Sequence, residues 1–267
     1  MKIHYQSSRL FNLEMFREDE LDMLHGIAAT TPLDSLIKSP RWKEESAIDF
    51  VFTSSQIEGN TYSLADTISL LKVGKTANDK RYTEAVMIMN LRAAYDHILE
   101  NSKDALNDPI RALQTYHSIL MHGLLESDVL GQPRKSNGTA IFGSGYIPLS
   151  GQERLEKELQ TLIECLSKIN DPFEKALYAS SNLAYLQFFE DGNKRTSRLF
   201  QNAVLMANNL PPVLFPISEI KNYIESTIYY YEQGDHILNR AFMMNAYRKA
   251  YVANEIERSA QVPNTPT

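Results

Sequence analysis

The sequence predicts an all-α protein, and two observations support this class. Apolar residues recur near the 3.6-residue period of a helix in one segment after another, most widely between residues 83 and 99. Only residues 130–150 interrupt this pattern, with clustered glycines and prolines and a short β-prone run at 139–142. We therefore expect one compact helical bundle with a small β-hairpin near residues 139–147.

The expected helices follow one another with short connections. They cover residues 16–27, 41–56, 64–74, 83–99, 109–125, 155–166, 173–186, 194–206, 218–231 and 237–256. Ser63 and Asp66 form a capping box at one helix start, and Ser218 is expected to cap another. Residues 1–40 are expected to be an N-terminal extension packed on a core of residues 41–258. The tail 259–267 is expected to be disordered.

The composition excludes several classes of protein. The chain has 267 residues, 43% of them hydrophobic, and a formal net charge of −6, which argues against a general nucleic-acid binder. Its single cysteine, Cys165, rules out an intramolecular disulfide and a cysteine-cluster metal site. No apolar run is long enough to span a membrane, and the first residues lack the apolar stretch of a signal peptide. We expect a cytoplasmic protein.

A dense polar cluster lies between two apolar helices, at residues 187–198. Gly192 allows the backbone to turn without a Cβ clash, so that the amides at the start of the next helix can bind an anion. Arg195 and Arg198 are one helical turn apart and could bind further phosphate oxygens. The alternative is a plain joint between helices, with Asp191 as a cap and the arginines in solvent.

This stretch resembles the signature of the Fic (Fido) family, H-x-F-x-[D/E]-G-N-[G/K]-R-x-x-R. The matching residues are Phe189, Asp191, Gly192, Asn193, Lys194, Arg195 and Arg198. Fic proteins transfer a nucleotide fragment, usually AMP from ATP, to a hydroxyl group of a target protein. The resemblance implies that Asp191 binds Mg²⁺, that residues 192–194 cradle the phosphates, and that Arg195 and Arg198 contact the outer phosphates. Phe189 would anchor the loop in the core.

One position departs from the signature, because Gln187 stands where the family has histidine. That histidine is the general base, and the amide of glutamine cannot accept a proton near neutral pH. We expect AMP transfer to be slowed or absent, whereas ATP binding is retained. Gln187 is compatible with a natural relic, with an introduced substitution, or with a role that needs only nucleotide binding or a different chemistry.

A second motif lies at the end of the expected helix 41–58. Glu58 is placed near a helix C-terminus, where a carboxylate gains from a cationic partner. Ser54, Glu58 and Gly59 also resemble the inhibitory motif [S/T]-x-x-x-E-[G/N] of Fic proteins. The resemblance implies that Glu58 pairs with Arg198 and keeps the γ-phosphate out of its productive position. The alternative is an exposed carboxylate beside an ordinary helix stop.

Other segments carry weaker signals. The expected hairpin near 139–147 corresponds to the Fic flap, which would align a target protein by strand pairing, although a surface connection is the alternative. His117 and His122 are five residues apart, which does not favour a metal site, and both are interpreted as structural. The tyrosines at 229–231 are interpreted as packing residues.

The sequence thus supports a self-inhibited, ATP- and Mg²⁺-binding adenylyltransferase with impaired transfer as the leading hypothesis. The alternatives are a non-catalytic nucleotide-binding interaction module, and an enzyme that removes AMP by using Glu58 to position water. The expected partners are ATP and a target protein at the flap. Neither a membrane nor nucleic acid is expected to bind, and the oligomeric state is open, a homodimer included.

Overall fold

The structure is a computed structural model that describes residues 2–137, 141 and 143–253 of the chain. Its helices are α1 (Glu18–Thr30), α2 (Leu33–Leu36), α3 (Pro40–Ile57), α4 (Leu64–Val73), α5 (Tyr82–Asn101), α6 (Asp104–Asn107), α7 (Pro109–Met121), α8 (Gln152–Lys168), α9 (Pro172–Leu186), α10 (Asn193–Ala207), α11 (Ile220–Gln233) and α12 (Ile237–Arg248). Two short strands are β1 (Ile3–His4) and β2 (Tyr146–Ile147). The predicted all-α class is confirmed.

Local chemistry explains where these helices begin. The Ser63 side chain accepts a hydrogen bond from Asp66 N, and the Asp66 carboxylate accepts one from Ser63 N, so the predicted capping box forms. The Asp171 carboxylate accepts hydrogen bonds from the first two N–H groups after Pro172 at the start of α9. These caps satisfy amides that would otherwise lack partners at the first turn.

The centre of the molecule is formed by α9 and α10, which pack against each other along most of their lengths. Both helices are buried on nearly every side, because α5 and α7 cover α10 while α8, α11 and α12 cover α9. Helix α3 packs on α5 and also reaches α11. The loop that joins α9 to α10 is therefore held by several helices at once.

The residues before α1 belong to the same hydrophobic core. Leu10 and Met15 are buried, and the Leu10 carbonyl accepts a hydrogen bond from the Tyr178 hydroxyl of α9. Strand β1 pairs with β2 in parallel, with Ile3 opposite Tyr146 and His4 opposite Ile147. Residues 138–140 and 142 of the expected hairpin lie outside the described residues. The part that is described pairs with the N-terminal segment.

Two expected boundaries are wrong. Helix α7 ends at Met121 instead of 125, because His122 is extended and Gly123 adopts a left-handed conformation. Ser218 lies inside a 3₁₀ turn over Ile217–Glu219, and α11 begins after Glu219. Helix α12 ends at Arg248 and continues as a π-helical turn over Lys249–Ala253, and its expected end near residue 256 lies outside the described residues. The expected disordered tail, 259–267, lies outside the described residues.

Among the described residues, no helix combines the length and the apolar character that crossing a membrane requires.

Candidate nucleotide site

The site is built on the loop between α9 and α10. Gln187 ends α9 in the left-handed region, with φ of 50°, and Gly192 precedes α10 with φ of 75°. A Cβ atom on Gly192 would lie 2.6 Å from the Met121 sulfur, so both the backbone conformation and the available space require glycine. The loop thereby brings the start of α10 against α7. The first N–H groups of α10 have no partners inside the helix, as at any helix start.

The Asn193 side chain closes this loop. Its Oδ1 accepts a hydrogen bond from Phe189 N and its Nδ2 donates one to Phe189 O, both at 2.8 Å. Phe189 is buried and stacks on the His117 ring, with the ring centres 3.8 Å apart. The Asn193 side chain thus forms its hydrogen bonds within the loop, and its backbone N–H is the group that remains free to bind an anion.

His117 supports the loop from α7 and is fully buried. Gly131 N donates to its Nδ1 at 2.9 Å, so Nε2 carries the proton and donates to Asp191 O at 3.1 Å. Burial lowers the pKa of His117 to about 4, so the ring is neutral at physiological pH. The structural interpretation of His117 is correct, and the structure adds that it holds the loop at Asp191.

Arg195 is buried and only partly paired. Its Nη2 donates to Asp191 Oδ2 at 2.9 Å, and its Nε lies 4.0 Å from Glu58 Oε2. Its Nε and Nη1 have no hydrogen-bond partner among the described residues, although both are inaccessible to solvent. An unsatisfied buried guanidinium is costly, and the oxygens of an anion would satisfy it once the side chains that close these nitrogens off from solvent move aside.

Arg198, one turn further along α10, is 1% exposed and has a partner at every side-chain nitrogen. Nη2 donates to Glu58 Oε1 at 2.9 Å and to Ser54 O at 3.4 Å. Nε donates to Ser54 Oγ at 3.4 Å, and Nη1 donates to Tyr223 Oη at 3.2 Å. The structure therefore brings together the two motifs that lie 140 residues apart in the sequence.

Electrostatics keep the Glu58–Arg198 pair ionised. Burial opposes the charge on Glu58, but the positive charges of Arg198, Lys194 and Arg195 outweigh it and lower the pKa of the carboxyl group. For Arg198, burial likewise opposes the charge, while Tyr223 and Glu58 raise the pKa of the guanidinium. Glu58 thus faces all three cationic side chains of the loop.

Gln187 is also engaged. Its Nε2 donates to Ala184 O at 2.7 Å and lies 3.5 Å from Tyr231 Oη, while its Oε1 accepts from Asn193 Nδ2 at 3.4 Å. The left-handed conformation of this non-glycine residue costs about 1–2 kcal/mol. An amide has no basic nitrogen, so Gln187 can orient a neighbouring hydroxyl but cannot take its proton.

Sequence reasoning missed Arg134 and Tyr223. Arg134 is buried and holds the site backbone, since its Nε donates to Gln187 O at 2.6 Å and its N–H to Phe188 O at 2.9 Å. Its other nitrogens donate to Ser136 O and Leu149 O. All its partners are backbone carbonyls, which leave no trace in a residue pattern. Tyr223 lies in an ordinary helical pattern, and only packing brings it to Arg198.

The residues present fit a metal that arrives with a nucleotide. Among the described residues, no group of three or more His, Cys, Asp or Glu side chains could hold a metal ion. The Asp191 carboxylate is 64% exposed, and its Oδ2 binds Arg195. Mg²⁺ commonly uses one or two carboxylates together with substrate phosphates and water, so a single accessible carboxylate is an adequate protein ligand.

The fold and the site define a helical protein in which a glycine turn leads into α10, and in which the second arginine of that helix is held by a carboxylate. Residues 108–205 match the model of the Fic/DOC family. The match over these residues agrees with the family predicted from the signature.

Curated relatives of the chain include two named adenylyltransferases. The chain is 27% identical over 229 residues to protein adenylyltransferase Fic of Nematostella vectensis, which covers 82% of this chain and 49% of the relative. It is 28% identical over 232 residues to protein adenylyltransferase fic-1 of Caenorhabditis briggsae, with coverages of 83% and 42%. The chain thus spans about half or less of the length of these relatives.

Solved structures share the fold. Fic-1 (residues 134–508 of that protein) from C. elegans superposes with a TM-score of 0.73 at 23% identity, covering 88% of this chain and 70% of that one. A Fic domain containing signaling protein from Bacteroides thetaiotaomicron gives a TM-score of 0.70 at 16% identity, with coverages of 88% and 97%. At these identities the likeness concerns the fold alone.

Proposed function

We propose that this protein binds ATP with Mg²⁺ at the start of α10 and that its reaction is the transfer of AMP to a target protein, as in the protein adenylyltransferases. The observation that carries the proposal is the buried Arg195, whose Nε and Nη1 have no hydrogen-bond partner among the described residues. Phosphate oxygens match a guanidinium in charge and geometry. The names of the curated relatives support AMP transfer as the reaction.

In the proposed reaction, the oxygen of a target hydroxyl attacks the α-phosphorus of ATP. The bond from the α-phosphorus to the bridging oxygen breaks, and pyrophosphate leaves. Arg195 and the N–H groups at the start of α10 would stabilise phosphate charge, and Asp191 would hold the metal. Bound Mg²⁺ would supply further neutralisation of the pyrophosphate charge. The flap would align the target segment.

Two features of the site would hold this reaction back. Gln187 provides no base for the proton of the attacking hydroxyl, and a positioned base is typically worth about 10²–10⁴ in rate. Glu58 occupies Arg198 at 2.9 Å, so Arg198 is not free to bind the γ-phosphate. We therefore propose a self-inhibited protein that binds ATP but transfers AMP slowly.

The proposal is tested by incubating lysate with α-³²P-ATP, Mg²⁺ and one of four proteins: the unchanged protein, Gln187→His, Glu58→Gly or the double variant. We expect the double variant to label protein about 10²–10⁴ times faster than Glu58→Gly alone. Asp191→Ala in the double variant is the matched control and should abolish labelling. If the protein releases AMP from a labelled protein and Glu58→Gly abolishes that release, the result would favour AMP removal as the function.

The hydrogen bonds of Gln187 favour a second candidate, a nucleotide-binding interaction module without catalysis. Its amide is used to tie Ala184 to Asn193, so the side chain has a structural role in the loop. ATP binding by calorimetry without labelling by any variant would support this candidate. Absence of ATP binding would overturn the phosphate site itself.

A further inference from the structure

An N-terminal arm, defined as residues 2–11, contacts three elements that border the site. These elements are β2, the end of α9 and the end of α11. At β2, Ile3 N donates to Gly145 O at 2.9 Å and Tyr5 N donates to Ile147 O at 3.1 Å. At α9, the Tyr5 ring stacks on Tyr185 at 4.8 Å. Tyr185 is two residues before Gln187, so the arm is close to the position of the missing base.

Arg9 fixes the arm to the end of α11. Its Nη1 donates to Tyr230 O at 2.7 Å and to Tyr231 O at 3.0 Å, and its guanidinium lies 4.8 Å from the centre of the Tyr185 ring. A cation that binds the last carbonyls of a helix also offsets the negative end of the helix dipole. A Cβ atom on Gly234 would lie 2.7 Å from Arg9 Nε, so the turn after α11 is closed around this side chain.

The segment that the arm reaches is the flap base, defined as residues 144–147. Glu232, at the end of α11, also binds the flap base. Its Oε1 accepts hydrogen bonds from Ser144 Oγ at 2.8 Å and from Gly145 N at 3.2 Å. Tyr146 is buried, stacks on Tyr185 at 4.6 Å, and donates its hydroxyl to Tyr185 O at 2.6 Å. The flap base is therefore held between the arm, α9 and α11.

We infer that the arm is a positioning element for the target protein: it fixes the flap base relative to residue 187 and so determines how well a target segment is aligned. The physical reason is that β2 has only two residues, and isolated short strands are marginally stable without further pairing. The arm supplies that pairing. Arg9 is anchored to α11 and Leu10 to α9, and neither has a hydrogen bond to residues 191–198 among the described residues, so we expect the arm to affect target alignment and not nucleotide contacts. This inference depends on the proposed AMP transfer.

The opposite role, in which the arm blocks the target, is also testable. Strand β1 occupies the edge of β2 with which an incoming target strand could pair. A target that paired with this edge would have to displace the arm. Linking the arm to the flap base then separates the two roles, since a positioning arm stays in place during turnover and a displaced arm must leave.

The linking experiment uses His4→Cys with Ile147→Cys, two residues directly opposite each other in the parallel pair. The chain's own cysteine, Cys165, is buried and will not compete for a short thiol cross-linker. The background is Gln187→His with Glu58→Gly, and the assay is labelling of lysate protein from α-³²P-ATP. We expect the cross-linked and uncross-linked forms to label equally. Loss of labelling on cross-linking would overturn the positioning role.

A second experiment weakens the arm. Ile3→Pro in the same background removes the N–H that donates to Gly145 O, and exposed His4→Ala is the matched control. With the most strongly labelled lysate protein purified as substrate, we expect Ile3→Pro to raise its KM about fivefold and to leave the KM for ATP within about twofold. Arg9→Lys should retain more activity than Arg9→Ala. A raised KM for ATP, or an unchanged KM for the protein, would contradict the inference.

Failure of the proposed function gives a distinct result. If the Gln187→His, Glu58→Gly protein binds ATP but labels nothing, transfer is not its function. The arm is then tested by amide hydrogen exchange of residues 144–150, compared between that protein and its Ile3→Pro form. Faster exchange there, with unchanged exchange in α10, would support the arm as the element that holds the flap base. Unchanged exchange at the flap base would overturn it.

Discussion

Arg195 and Arg198 lie one turn apart on α10 and are both buried, yet their guanidinium groups have opposite surroundings. Arg198 has a partner at every nitrogen, including Glu58, Ser54 and Tyr223. Arg195 has Asp191 at one nitrogen and no hydrogen-bond partner, among the described residues, at two others. The same residue type on one helix face is thus fully hydrogen-bonded by the protein in one case and only partly paired in the other.

The comparison predicts that Arg195 contributes most to nucleotide affinity. Arg195→Ala should weaken ATP binding about 100-fold, because two charge-assisted hydrogen bonds to phosphate would be lost. Arg198→Ala should weaken it less than about threefold while Glu58 is present, since Arg198 is already paired. Calorimetry with ATP and Mg²⁺ measures both, and thermal melts control for folding. Equal losses for the two variants would contradict the comparison.

Removing Glu58 should make the two arginines more alike in pairing, because Arg198 then also lacks a partner at part of its guanidinium. Glu58→Ala leaves Arg198 buried beside no carboxylate, so we expect the free energy of unfolding to fall by about 1–3 kcal/mol. ATP affinity should rise about tenfold, because Arg198 then needs a new anion. Saturating ATP should therefore raise the melting temperature of Glu58→Ala more than that of the unchanged protein. An equal rise would mean that Arg198 does not reach the nucleotide.

The pairing of Arg198 should depend on pH in the acidic range. The pKa of Glu58 is lowered in the folded protein from its usual 4.5, so its carboxylate stabilises the fold above that pH. This stabilisation is lost as the pH falls through the lowered value. We expect the difference in unfolding free energy between the unchanged protein and Glu58→Gln to be constant between about pH 5 and 7 and to shrink below about pH 4.5. A constant difference down to pH 3 would be inconsistent with an ionised, paired Glu58.

Tyr223 gives the smallest expected effect. Tyr223→Phe removes the hydroxyl that accepts from Arg198 Nη1 and keeps the ring, whose centre lies 5.4 Å from the guanidinium carbon. We expect a loss of stability of about 0.5–1 kcal/mol and a change in ATP affinity of about twofold or less. Urea unfolding measures the first quantity. A larger loss of stability than that of Glu58→Ala would mean that Tyr223, and not Glu58, is the main partner of Arg198.

Several parts of the fold could be predicted from the sequence because they depend on local physics. The apolar periodicity placed α5, α9 and α10 correctly, since burying one face of a helix requires that spacing. The Ser63 capping box involves residues only three apart. The loop glycine at 192 was also predictable from its neighbours, although its contact with Met121 was not. Helix ends such as that of α7 were less accurate, because single glycines decide them.

The candidate site was predicted as two motifs and a set of roles. The sequence suggested that Glu58 needed a cationic partner, and the structure supplies Arg198 at 2.9 Å. The roles themselves remain proposals. The supports were not predictable: Arg134 holds the loop only through backbone carbonyls, and the arm reaches the flap base through pairing across more than 140 residues.

The sequence by itself determined the helical class, the glycine turn before α10 and the absence of a basic side chain at residue 187. Each of these follows from residue type and from spacing within one or two helical turns. Only the tertiary structure decided which arginine is occupied, which histidine supports the loop and what holds the flap base. Those outcomes depend on side chains from distant segments meeting in a buried space, where each polar group needs a partner and the packing determines which one it gets.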